Sequence, residues 1–233
     1  MEGYFFIADL LGFSRIVKNT PEDTLQERIA AWIGLVESTA AKLEITQLQL
    51  ISDTVFAASE STRSGLAKLI SFARTLLNQG MPQSLPIRGA ISHGSYNWGA
   101  LTYGKAVITA HELETAQDWI GVGCHNLLPH LADAWGLDSL VCFPLPLKRG
   151  PIRLHPVVAW EVPEFPRLVR ALCDKGLARQ GESLDWDWAQ KVNNTVHFGM
   201  YLRMLAANRA DGSRFSGVLP VEAIELNMFG PQA

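Results

Sequence analysis

Two aspartates stand where a charged side chain gains nothing from burial. Asp9 closes the apolar run from Gly3 to Ala8, and Asp53 sits between the runs Ile45 to Ser52 and Thr54 to Ala58. Hard divalent cations such as magnesium and manganese prefer carboxylate and phosphate oxygens together. Two carboxylates delivered by neighbouring strand ends can bridge two such ions and activate a hydroxyl for attack on phosphorus. Taken singly, each is as readily a turn or cap residue, which is common at strand ends. The elements that carry them decide between the two.

Gly3 to Ala8 reads as a buried strand. Thr20 before Pro21, with Glu22 and Asp23 next, reads as a helix start. The helix runs to about Leu43, with Leu25, Ile29, Trp32, Ile33, Val36 and Ala40 recurring at three or four. The two runs around Asp53 form a hairpin with that residue at or beside its turn. Thr62 to Asn78 is helical, Leu85 to His93 a strand and Gly104 to Trp119 a helix. The order βαββαβ is the ferredoxin-like arrangement of an α+β domain, one sheet with helices on a face. Further on, His125 to Trp135 reads as a helix, Leu140 to Phe143 and Val157 to Trp160 as strands, and Trp186 to Asn208 as a long helix. Residues 1–150 are therefore expected to form the core. Residues 151–233 are expected to form a C-terminal extension packed on it, not an independent domain.

The chain of 233 residues is 48 % apolar and 18 % charged, an ordinary globular balance. A net charge of −3 argues against a nucleic-acid partner. The three cysteines, Cys124, Cys142 and Cys173, have no metal-ligand spacing and suit reduced thiols in the cytoplasm. No apolar run approaches the roughly 20 residues that span a bilayer, so a soluble protein without a membrane partner is expected.

Four segments carry a resemblance. Phe6-Ile7-Ala8-Asp9-Leu10-Leu11-Gly12-Phe13 resembles the first metal-binding segment of class III nucleotidyl cyclases. Ile51 to Ala58, with Asp53, resembles the second, in the family's hairpin. Arg88-Gly89-Ala90-Ile91-Ser92-His93-Gly94 is similar to the family strand of Arg, Gly, Ile and a later Gly. Tyr103 to Glu114 is similar to the helix that follows it. The resemblance covers roughly residues 4 to 116, in the family's order. It implies that Asp9 and Asp53 are catalytic and hold two Mn2+ or Mg2+ ions per site, with the backbone carbonyl of Leu10 as a further ligand. It also implies a homodimer with two sites across one interface. Each site would take metal ligands from one chain and base or phosphate contacts from the other.

The chain departs from the family at three places. The base-reading position, Lys in adenylyl and Glu in guanylyl cyclases, is Gln49, whose amide offers both a donor and an acceptor. Its partner position is Leu101, with Thr102 and Tyr103 beside it. The family's transition-state Asn and Arg fall on Ile108 and Glu112, which leaves Lys105, at a helix start, and Arg88 as candidate phosphate contacts. This combination resembles the pyrimidine cyclases of bacterial Pycsar antiphage systems. That resemblance implies conversion of UTP, or next CTP, to cyclic UMP or cyclic CMP, a messenger that activates a separate effector protein. The alternatives are a purine cyclase with a divergent pocket, and a non-catalytic nucleotide-sensing dimer on the same fold.

Overall fold

Tyr4, Phe5, Phe6 and Ala8 are fully buried, so the strand that carries them is covered on both faces. In the computed structural model, which describes residues 1–126, 128–131, 139–150, 153–173, 177, 179–180 and 183–210, this strand is β1 (Glu2–Leu10). It lies inside a seven-stranded sheet ordered β2-β3-β1-β4-β5-β7-β6. β2 (Gln47–Ile51) and β3 (Thr54–Glu60) form the hairpin, and β3 and β4 (Ile87–Ser95) flank β1, all antiparallel. With α2 (Glu22–Lys42) between β1 and β2 and α3 (Arg63–Gly80) between β3 and β4, this is the expected βαββαβ unit.

Strand period assigns the faces. Tyr4, Phe6, Ala8 and Leu10 join the large core under α2 and α3, where Phe6 meets Phe72 edge-on at 5.5 Å. Phe5 and Ile7 pack on the opposite side with Ala106 and Ala110 of α4 (Lys105–Ala116). The helices thus cover both faces of the sheet, where the sequence suggested one. α3 begins at a Thr62 cap, whose Oγ1 accepts the Gly65 N–H at 3.0 Å. The Thr20 start expected for α2 is not used as a cap: Pro21 precedes the helix and no side chain caps it.

α4 is the crossover that leads to β5 (Gly121–Cys124), parallel to β4. β6 (Leu140–Leu145) and β7 (Arg153–Val158) extend the sheet, with β7 between β5 and β6, so the sheet runs past residue 150. Trp160 lies outside β7. The helix expected over His125 to Trp135 does not begin there: the described residues before Leu131 are turn and irregular chain, with His130 at φ 60°, and residues 127 and 132–135 lie outside the described residues. Among the elements the sequence did not predict are α1 (Phe13–Asn19), β5, α5 (Phe165–Cys173) and a small two-stranded ribbon of Arg179–Gln180 with Ser183–Leu184. The long α6 (Trp186–Ala210) packs on the core, with Thr195 Oγ1 accepting the Ile120 N–H at 2.9 Å and Phe198 edge-on to Trp119 at 5.0 Å. Its start reaches α1 through Arg15 and Asp185 at 2.5 Å.

Candidate active site

Asp9 occupies the odd face of β1, beyond Phe5 and Ile7, on the α4 side. The β2–β3 hairpin closes with Ile51 opposite Thr54, leaving Ser52 and Asp53 as a two-residue loop. Ser52 takes the positive φ (60°) that the first central position of a primed turn demands. This tight turn brings Asp53 against Asp9. Thr54 Oγ1 stands 3.4 Å from Asp9 Oδ1. Burial, then the hydrogen bond that the protonated Asp9 donates to Asp53, then the negative charges of Asp53 and Glu114 push the Asp9 carboxyl up to about 7, against the pull of Arg88.

Arg88 is Asp9's neighbour across the β1–β4 pair. The sequence suggested a phosphate contact; the structure gives its guanidinium to Glu114 of α4. Nε and Nη2 donate to Glu114 Oε1 at 2.7 and 2.6 Å, and Nη1 points at the Gln117 carbonyl 3.4 Å away. Glu114 and Gln117 are themselves buried. The Gln117 amide donates to the carbonyls of Gly89 and Leu113 at 2.9 Å and accepts the Trp119 indole N–H at 2.7 Å. Gly89 is needed there, since a Cβ would fall 2.7 Å from the Ile7 carbonyl oxygen. Sequence reasoning placed Glu114 in a helix motif without giving it a task. An Arg on a strand and a Glu on the crossover helix after it are the signal that pairs them.

The arrangement leaves two carboxylates pressed together while the nearest cation is spent on a third. Among the described residues no group of three or more His, Cys, Asp or Glu could hold a metal ion. The pair therefore fits a divalent ion only as part of its shell, with oxygens from a carbonyl such as Leu10, the last residue of β1, and from a phosphate completing it. Like charges this close are the condition that a dication relieves.

The other expected residues lie elsewhere on the sheet. Gln49 is opposite Phe56, which is opposite Ile7, so it shares Asp9's face two positions away. Its Nε2 donates to the Gly99 carbonyl and its Oε1 accepts from Thr102 Oγ1, both at 3.0 Å. Leu101 and Tyr103 project from that loop, 72 % and 56 % exposed. Lys105 opens α4 beside Gly94, which pairs with Gly3. Gly3 to Asp9 spans roughly 20 Å at about 3.3 Å per residue, so Lys105 does not meet Asp9 of its own chain. Ile108 (59 %) and Glu112 are exposed on α4.

Solved structures share this architecture. The adenylyl cyclase CyaB from P. aeruginosa is 18 % identical, with a TM-score of 0.51 over 68 % of this chain and 93 % of its own. The guanylyl cyclase domain of the RhoGC fusion protein from the aquatic fungus Blastocladiella emersonii is 16 % identical (TM-score 0.53, 67 % and 94 %). That of RhGC from Catenaria anguillulae, solved with GTP, is 13 % identical (0.52, 68 % and 96 %). The chain has the fold of class III cyclase catalytic domains. Almost all of each cyclase domain is matched by about two thirds of this chain, and the rest of it is additional to the shared fold. No protein-family model and no curated protein matches the sequence. Among the described residues no helix is long and apolar enough to cross a membrane.

Proposed function

We propose that the chain is a metal-dependent nucleotide cyclase, with Asp9 and Asp53 as its cation ligands. The observation that carries this reading is the meeting of those two carboxyls at the end of a sheet with the cyclase fold, where the neighbouring Arg88 is paired with Glu114 instead. A bound pair of Mn2+ or Mg2+ ions supplies activation of the ribose 3′-hydroxyl and charge neutralisation on the triphosphate. The protein's share is orientation: Asp9 and Asp53 fix the reacting end of the nucleotide, and a rigid sheet holds them in place. The product is a 3′,5′-cyclic monophosphate, with pyrophosphate leaving.

We read the substrate as a pyrimidine triphosphate, UTP before CTP. Gln49 supports this. It stands where purine cyclases carry Lys or Glu, and with Gly99 and Thr102 each taking one of its hydrogen-bonding positions the amide keeps one N–H and one lone pair, which serve the edge of either pyrimidine. Leu101 and Tyr103 stand open to solvent in the single chain, consistent with a base pocket completed by a second copy in a homodimer. In this reading Lys105 contacts the phosphates of the partner's site. The resemblance to Pycsar cyclases extends the role to antiphage signalling through a separate effector protein. A purine cyclase is the second reading, favoured by neighbours such as the one solved with GTP.

Incubating the protein with Mn2+ and each of ATP, GTP, UTP and CTP, then resolving the products, tests all of this. Cyclic UMP or cyclic CMP with pyrophosphate is expected. Turnover of ATP or GTP alone removes the pyrimidine reading, and no product from any of the four removes the enzyme.

A further inference from the structure

Asp9 and Arg88 are direct partners in the antiparallel β1–β4 pair. Side chains so placed leave the same face with Cβ atoms about 5 Å apart, and opposite charges there attract. The expected Arg–Asp ion pair is not made. Instead Arg88 Nε and Nη2 both lie on Glu114 Oε1, and Nη1 faces the Gln117 carbonyl, so all three nitrogens are directed at α4.

We infer that Glu114 is a positioning residue that holds Arg88 off Asp9 and so keeps the Asp9 carboxylate open to a divalent cation. This rests on the reading of Asp9 and Asp53 as cation ligands. A guanidinium on Asp9 would occupy the lone pairs a metal needs and place a positive charge beside it. The holder is rigid. Glu114 sits on a helix packed against the sheet, and the Gln117 side chain that anchors the helix end is fully buried with three hydrogen bonds. Stability alone accounts poorly for the pair, since a buried ion pair can often be replaced by apolar residues at little cost. Its position, one strand from Asp9, gives it a purpose.

Mn2+ titration of the full chain without nucleotide, with folding followed by thermal melting, tests the inference. Wild-type protein should bind Mn2+, and Asp53→Ala should not. Glu114→Gln should weaken binding roughly tenfold or more, because the freed guanidinium turns to Asp9. Adding Arg88→Met to Glu114→Gln should return the affinity to within about threefold of wild type, a rescue that a merely structural Glu114 would not give. If Glu114→Gln does not fold, Glu114→Asp, which keeps the charge but withdraws it, takes its place in the same comparison. A folded Glu114 variant that binds Mn2+ like wild type overturns the inference. So does weak binding that Arg88→Met fails to rescue. Wild-type protein that binds no Mn2+ through Asp53 overturns the cation-site reading, and the inference with it.

Discussion

At one end of the sheet Asp9, Asp53, Arg88 and Glu114 are assembled from four elements of a single chain, Arg88 and Glu114 buried and tied by short hydrogen bonds, the two aspartates half-buried beside them. Around the loop before α4, Leu101, Tyr103 and Lys105 stand in solvent with nothing of their own chain over them among the described residues. The contrast teaches that the two halves of the proposed site are of different kinds. The acidic half is preorganised by the fold, and its geometry is already set. Under the proposed function, the half that would meet base and phosphate is completed by the acidic half of a second copy of the chain.

The largest expected effect breaks the acidic half. Asp9→Ala or Asp53→Ala should lower cyclic-nucleotide formation on the order of a thousandfold, the scale of losing metal-assisted charge stabilisation. Residual activity within tenfold of wild type in a product assay would show that the two carboxyls are not the centre. A smaller effect sharpens the division between halves. Asp53→Ala and a Gln49→Ala/Lys105→Ala double variant should each be inactive alone. Mixed in equal amounts and allowed to exchange subunits, they should recover about a quarter of wild-type activity, because half the dimers are mixed and each of those has one intact site. No recovery, with exchange verified, would place both halves in one chain.

The smallest effect concerns stability. The Asp9 carboxyl titrates at about 7 when folded against 3.8 unfolded, so folding favours its protonated form. Below about pH 4 both states are protonated and the group is neutral to stability. As pH rises toward 7 the unfolded chain ionises first, and stability is lost. Asp9→Asn should therefore melt a few degrees above wild type at pH 8 without metal, and close to it at pH 4. With saturating Mn2+ at pH 8 the order should reverse, since only wild type keeps the full ligand set. A wild type that melts above Asp9→Asn at pH 8 without metal would mean that the site carries no such penalty.

Much of this was legible in the residues, for identifiable reasons. α2 and α3 carry long apolar stripes, and α3 has a true Thr62 cap, so period and punctuation agree. β1 ends where Asp9 interrupts its apolar run, and the hairpin turn at Ser52-Asp53 follows from two strands with no room for a longer loop. α1 was missed because its seven residues are too few for a periodic signal and its start is Gly12, at φ 82°, without a capping side chain. β5 was missed because Gly121-Val122-Gly123-Cys124 reads as a turn; its strand character comes from burial between β4 and β7. Pairing across the sheet lay beyond any local pattern. From the sequence Arg88 is a candidate phosphate contact or a structural residue, and only the fold brings Glu114, 26 residues later, beside it.

The placement of β1 has a consequence for how the molecule is made. Its two partners, β3 and β4, both follow it in the chain, the nearer only after two helices, the second of 21 residues, and a strand have intervened. Until residues 54–60 are available, Tyr-Phe-Phe-Ile-Ala is an apolar, uncharged, proline-free strand with both edges open. Such a segment pairs readily with copies of itself. The strand that anchors the finished site is thus also the point at which a nascent or unfolded chain is most exposed to aggregation. Refolding yield should fall with protein concentration, and a charge placed at Phe5 would spare the unfolded chain while ruining the native sheet.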